Sequence, residues 1–159
     1  MNDMELEEII KGKKICVTGG AGFIGSHLCE VLDKNNEVIA FDNLATGHLE
    51  NIKGFDVKFI KGDIRDSNAL DGAFSDVDYV FHTAANPSVI SSIQDPESTN
   101  NVNVDGTLKV LLAARKAKVK KLVYSASSSV YGNIPADKMR EDMAPQPNTP
   151  YAVSKLLGE

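Results

Sequence analysis

The stretch VTGGAGFIGSHL, residues 17–28, constrains what this chain can fold into more than any other. It follows a short apolar run, KKICVT, and opens a helical pattern, so Gly19, Gly22 and Gly25 stand in a G-x-x-G-x-x-G spacing at a strand-to-helix turn. Glycines there let the backbone approach a pyrophosphate, whose charge is met by free amides and the helix N-terminus. Tight βα turns also use glycine for purely conformational reasons, so the rest of the chain has to decide.

Four more β-branched or aromatic runs follow, EVIAFD, VKFIKG, DYVFHT and KLVYSA, each bounded by Gly, Asn, Asp or Ser. Strands alternating with helical patterns predict parallel βαβ units, an α/β fold with a Rossmann-type doubly wound parallel sheet. Between the first two strands Ile24, Leu28, Val31 and Leu32 form a stripe expected to pack on the sheet, with Asn35-Asn36 as its stop. Ser67 is expected to cap a short helix carrying Leu70 and Phe74. Asp95-Pro96 opens a longer helical region in which Val104, Leu108, Leu111, Leu112 and Arg115 recur. Its other face, with Thr107, Val110 and Ala114, suggests a second buried contact such as a subunit interface. The Pro-rich APQPNTP reads as a surface loop leading into a final helix that tolerates Pro150 in its first turn.

The 159 residues, 42% hydrophobic and 25% charged, suit one domain with a sizeable core, and no repeat or interdomain linker interrupts them. The net charge of -5 comes from interspersed acids and bases, which argues against nucleic acid as a partner. No apolar run approaches the roughly 20 residues of a membrane span, and MNDMELEEIIKGKK is acidic where a signal peptide would be basic, so the expected location is the cytoplasm. Cys16 and Cys29 lack CxxC spacing and a nearby His cluster, and His82 lacks a partner ligand. All three read as core residues and no metal is expected.

Asp42 follows Gly22 by 20 positions and ends the second strand. A carboxylate there can accept both ribose hydroxyls of an adenosine and repels a 2′-phosphate, which favours NAD over NADP. A turn cap in DNLATG is the alternative for Asp42. Asp63 in KGDIRD can likewise be a turn residue, but its place at a strand's carboxyl end suits a contact to the adenine.

Ser127 in YSASSSVYG joins Tyr151 and Lys155, which sit at i and i+4 of the last helix. A tyrosine hydroxyl, with an ordinary pKa of about 10, needs a nearby cation to act as a base. Lys155 would supply that cation and Ser127 a hydrogen bond to the reacting oxygen.

With GGAGFIG, DNLATG, GDIRD, HTAANPS, NVDGT, SASSSVYG and YAVSK in this order, the chain from Lys14 onward resembles the extended short-chain dehydrogenases/reductases, in their nucleotide-sugar epimerase and dehydratase group. DNLATGH, KFIKGDIRD and the NPSV segment are similar to UDP-N-acetylhexosamine 4-epimerases. The resemblance implies NAD contacts from Phe23, Ile24, Asp42, Asn43, Asp63, Ile64, Ala84, Ala85 and Asn103, beside the glycines, Tyr151 and Lys155. It implies catalysis by Ser127, Tyr151 and Lys155, with Ser88, Ser127 and Tyr151 at the sugar. Dehydratases and decarboxylating relatives carry carboxylates just before VYG. Ser127, Ser128 and Ser129 stand there instead, which favours 4-epimerisation of a UDP-sugar. A dehydratase, a net dehydrogenase or reductase, and a noncatalytic NAD-binding regulator are the alternatives. The same resemblance implies a homodimer, and makes residues 1–159 an NAD-binding domain cut off after the Tyr-Lys helix starts, inactive without a C-terminal substrate domain.

Overall fold

The computed structural model describes residues 10–135 and 138–159; the acidic start read from residues 1–9 lies outside them. Strands β1 (Lys14–Thr18), β2 (Glu37–Asp42), β3 (Val57–Lys61), β4 (Tyr79–His82) and β5 (Lys121–Tyr124) form one sheet in the order β3-β2-β1-β4-β5. Every neighbouring pair is parallel. The Rossmann-type sheet is therefore present, and its order reverses beside β1, opening a crevice at the strands' carboxyl ends. Thr18 pairs with Phe41 and with His82, and His82 with Tyr124. That single row brings the glycine turn, Asp42, the HTAAN loop and the serine run to one edge.

Consecutive β1 residues point to opposite faces. Cys16 joins a core with Phe41, Leu70, Phe74, Val80 and Val110. Val17 joins another with Cys29, Val38, Ala40 and Ile52. Both cysteines are buried and unpaired as expected, and burial pushes the Cys29 thiol up to about 12. Among the described residues no group of His, Cys, Asp and Glu could hold a metal ion, and no helix is long and apolar enough to cross a membrane.

Helix α1 (Phe23–Leu32) follows the glycine turn, and Asn36 stops it by donating to the Leu32 carbonyl at 2.9 Å. Half of the expected stripe packs inward: Leu28 and Leu32 lie half-buried against the core beside the buried Gly25, Ser26 and Cys29, whereas Ile24 and Val31 are each 57% exposed. The cause is close approach, since a Cβ on Gly25 would lie 2.1 Å from the Gly19 carbonyl oxygen. Only small residues fit against the turn, and Ile24 is rotated toward the crevice. Helix α2 (Ser67–Ala73) is capped by Asp66 and not by Ser67. The Asp66 carboxylate accepts the Asn68 and Ala69 amides at 2.9 and 3.2 Å, and an ionised side chain is the better acceptor at a helix N-terminus. Leu70 and Phe74 are fully buried as expected.

After β4 come α3 (Val89–Gln94), α4 (Pro96–Asn100), a π-helical turn (Asn101–Asp105) and α5 (Gly106–Lys116). Asp95 caps α4, accepting the Ser98 amide at 2.9 Å, with Pro96 as the first helical residue. On α5 the face with Thr107, Val110 and Ala114 is buried as expected, but against the core of this domain, and the leucine face is the exposed one. Thr107, Val110, Ala113 and Ala114 pack inward, while Leu108, Leu111, Leu112 and Arg115 face outward. Space decides again: a Cβ on Gly106 would lie 2.7 Å from Ile64 Cδ1, so the narrow side of the helix meets the core. Helix α6 (Pro150–Leu156) begins at Pro150 and is capped by Thr149, which accepts the Ala152 amide at 3.2 Å.

Candidate active site

Gly19 adopts a φ of 71°, and its amide donates to the Phe41 carbonyl at 2.8 Å. A Cβ there would lie 2.8 Å from the Ala84 amide nitrogen, so the turn threads between the end of β2 and the loop after β4 only as glycine. Phe23, 80% exposed, and Ile24 form one wall of a cavity of about 510 Å³. Gly19, Gly22, Gly25, Asp42, Asn43, Asp63, Ile64, Ala84 and Ala85 complete the set of sequence-expected residues that line it. Its volume is in the range of small-molecule sites, and it lies at the switch point of the sheet.

Asp42 is buried at the end of β2, its Oδ2 accepting the Ala21 amide at 3.1 Å and its Oδ1 the Leu44 amide at 2.7 Å. The turn-cap alternative is thus realised, with Leu44 at a φ of 62°. A carboxylate offers about four acceptor sites, so each oxygen retains one for a ligand hydroxyl. Asp63 differs. Its oxygens accept the Arg65 amide and Nε at 2.9 Å each, Arg65 Nη2 at 2.7 Å and Asn43 Nδ2 at 3.0 Å. The Arg65 guanidinium holds the Asp63 carboxyl well below the usual carboxylate range. With its acceptor sites filled, Asp63 is first a turn residue. Arg65, which lines the cavity, went unrecognised in the sequence.

Ser127, Tyr151 and Lys155 stand outside the lining of that cavity, on α6 and on the 3-10 turn Ser128–Tyr131 that Ser127 caps. The Ser127 and Ser129 hydroxyls are hydrogen-bonded at 2.8 Å. The peptide groups flanking Tyr151 are gripped from both sides: its amide donates to Ser92 Oγ at 3.1 Å, and Ser154 Oγ donates to its carbonyl at 2.7 Å. Asn103, 1% exposed, donates to Ser154 Oγ at 3.0 Å and to the Asn86 carbonyl at 3.1 Å, and accepts the Asn86 amide at 2.7 Å. Its side chain is committed to protein partners, so the structure gives Asn103 a bracing role between the β4 loop and the Tyr-Lys helix and not a place in the cavity wall. Ser88 caps α3, accepting the Ser91 amide at 3.0 Å, and also lies off the cavity lining. Ser92 went unrecognised in the sequence; nothing but its fully buried position marks it.

Lys155 is 4% exposed, and burial lowers its pKa to about 8. Its Nζ lies 4.3 Å from the centroid of the Tyr124 ring. His82 is buried as expected, its Nδ1 2.7 Å from Thr18 Oγ1 and its Nε2 3.0 Å from Thr107 Oγ1. Thr107 donates to the Asn103 carbonyl at 2.6 Å, so it accepts from Nε2–H and leaves Nδ1 to accept from Thr18. Burial pulls the imidazole pKa down to about 3.

The model of the NAD dependent epimerase/dehydratase family matches residues 15–159. A UDP-glucose 4-epimerase from Mycolicibacterium smegmatis is 41% identical over 151 residues, covering 90% of this chain and 48% of the relative. The UDP-N-acetylglucosamine 4-epimerase from Methanobrevibacter ruminantium, solved in complex with UDP-N-acetylmuramic acid, is 39% identical with a TM-score of 0.89, covering 94% of this chain and 49% of that one. The UDP-glucose 4-epimerase from Thermus thermophilus, solved in complex with NAD, is 42% identical with a TM-score of 0.84, covering 91% and 48%. The chain spans about half the length of the curated relatives it matches. From its glycine turn to its Tyr-Lys helix, this chain belongs to the NAD dependent epimerase/dehydratase family.

Proposed function

We propose that this chain is the nucleotide-binding and proton-transfer part of an NAD-dependent UDP-sugar 4-epimerase. The observation that carries the reading is the pairing of Tyr151 with a nearly buried Lys155 on one turn of α6, beside a turn built from serines with no carboxylate. Dehydration across a sugar needs an additional acid and base, and Ser127, Ser128 and Ser129 supply neither.

The cavity fits the cofactor. The glycine turn leaves room for a pyrophosphate, Phe23 and Ile24 flank it, and Asp42 keeps an acceptor site on each oxygen for a ribose diol while repelling a 2′-phosphate. When bound, NAD would supply the hydride acceptor and donor for sugar C4. Tyr151 takes the proton of the 4-hydroxyl as the C4–H bond breaks, leaving a 4-keto sugar. Once the sugar has turned in the site, Tyr151 would give the proton back to the oxygen at C4, so that no net oxidation results. Lys155, cationic below about pH 8, stabilises the phenolate form of Tyr151, and Ser127 hydrogen-bonds the reacting oxygen.

In this proposal residues 1–159, which span about half the length of the curated relatives, do not turn over UDP-sugar by themselves. The outward Leu108, Leu111 and Leu112 of α5 support a homodimer. The test is native mass spectrometry of the purified chain with acid release of any nucleotide, followed by assay of the product of the gene that encodes it. NAD in the first and UDP-sugar interconversion without added cofactor in the second are expected. Stoichiometric consumption of NAD(H), a 4-keto-6-deoxy product, or turnover by the 159-residue chain alone would each overturn its part of the reading.

A further inference from the structure

We propose that Tyr124 is a positioning residue for the site, its ring face holding the Lys155 ammonium in place and in its charged form one helical turn from Tyr151. β5 ends at Tyr124, directly beside His82 in the sheet. Its ring leans against the His82 ring, centroids 5.6 Å apart, and turns a face to Lys155 Nζ at 4.3 Å. Within about 6 Å an aromatic quadrupole attracts a cation, and more strongly where water is excluded. Lys155 is 4% exposed as a residue.

The surroundings leave this contact the leading one. The other ionisable groups on α6 and on the elements around it are Tyr79, His82, Asp95, Glu97, Asp105, Lys121, Tyr131, Tyr151 and Glu159. Among the described residues none forms a hydrogen bond or ion pair with Lys155 Nζ. Glu159 favours the cation only through space, and burial opposes it. His82, neutral behind the ring, adds no counter-charge. The Tyr124 hydroxyl meets the Lys155 carbonyl at a long 3.5 Å, so the ring and not the oxygen carries the role.

The step from the charge of Lys155 to the acidity of Tyr151 rests on the proton-transfer reading above, whereas the hold of the ring on the ammonium does not. The test therefore reads Lys155 directly. The chain is labelled with 13C at lysine Cε, the Lys155 signal is assigned from its loss in Lys155→Met, and the signal is titrated in the wild type, Tyr124→Phe and Tyr124→Leu. Tyr124→Phe should titrate with the wild type. Tyr124→Leu should titrate lower by about half to one and a half pH units, the range of a buried cation–π contact. An unchanged value, or a rise toward that of an ordinary lysine, would overturn the proposal, the rise meaning that the ring merely excludes water. Should Tyr124→Leu not fold, phenylalanines with one, two and three ring fluorines at position 124 keep the shape and weaken the ring face stepwise. The Lys155 signal should then fall stepwise, and a flat series overturns the proposal. A gene product without epimerase activity but with this titration intact would sink the functional reading and leave the ring–ammonium contact standing.

Discussion

Replacing Asn103 by Ala should destabilise the fold by about 3 kcal/mol, although the residue does not line the cavity beside the glycine turn. The variant loses the three hydrogen bonds at 2.7, 3.1 and 3.0 Å that tie Asn86 and Ser154 together. A neutral hydrogen bond contributes about 1 kcal/mol net, and each partner stranded without water costs roughly 1–3 kcal/mol. Ser154 keeps its bond to the Tyr151 carbonyl, and Asn86 is only half-buried, so water relieves part of the cost. About 3 kcal/mol is a large share of the roughly 5–15 kcal/mol of an ordinary domain. With a urea m-value of about 2 kcal/mol per molar, the unfolding midpoint followed by far-ultraviolet circular dichroism should fall by about 1.5 M. Asn103→Asp keeps the acceptor for the Asn86 amide but buries a charge, and should lose at least as much near neutral pH. A midpoint drop below about 0.5 M in Asn103→Ala would mean that the brace between the β4 loop and α6 is energetically idle.

Three further outcomes follow from the site. Tyr151→Phe should retain nucleotide while lowering epimerisation by the gene product on the order of 10²–10⁴-fold, read from kcat; near-normal turnover would remove Tyr151 from proton transfer. Asp42→Asn replaces the charge that repels a 2′-phosphate, so the preference for NAD over NADP should shrink at least about tenfold in parallel titrations; an unchanged preference would place selectivity elsewhere. His82 sits at about 3 when folded against 6.5 in an open chain. Below pH 6.5 the unfolded state binds a proton that the folded state refuses, so stability present above that value is lost as pH falls toward 3. Urea midpoints at about pH 7.5 and about pH 4.5 should therefore separate more in the wild type than in His82→Gln, which keeps a donor and an acceptor; equal separations would show that His82 plays no part in acid sensitivity.

The strands were legible because each is a short apolar run between turn residues, and continuous burial in β1 and β2 is what a doubly covered parallel sheet demands. The glycine turn, Asp42 and the Tyr-Lys pair were legible from fixed offsets along the chain. What escaped was decided by space and by hydrogen bonds between distant segments. The stripes of α1 and α5 follow size and hydrophobicity in the sequence, yet only Leu28 and Leu32 of the α1 stripe pack on the core, and elsewhere the small-residue sides meet it, where closer approach outweighs the greater apolar area of Ile24 or Leu111. No spacing rule predicts a π turn, and Asn103 looked like a ligand contact until Asn86 and Ser154 came to it from 17 and 51 positions away. Tyr124 left one faint signal, an aromatic residue three places before Ser127 at the end of an otherwise aliphatic strand.

The double grip on the Tyr151 peptide groups also limits how this molecule can move. Ser92 belongs to α3 and Asn103 to the π turn, so the Tyr-Lys helix, α3 and the HTAAN loop are bolted together through buried polar contacts. Such a cluster travels as one rigid body, and hinges fall where backbone bonds are fewer. In the proposed reaction, any closure over a ligand is then expected to displace other segments against this block, and the placement of Tyr151 within it is expected to be kept.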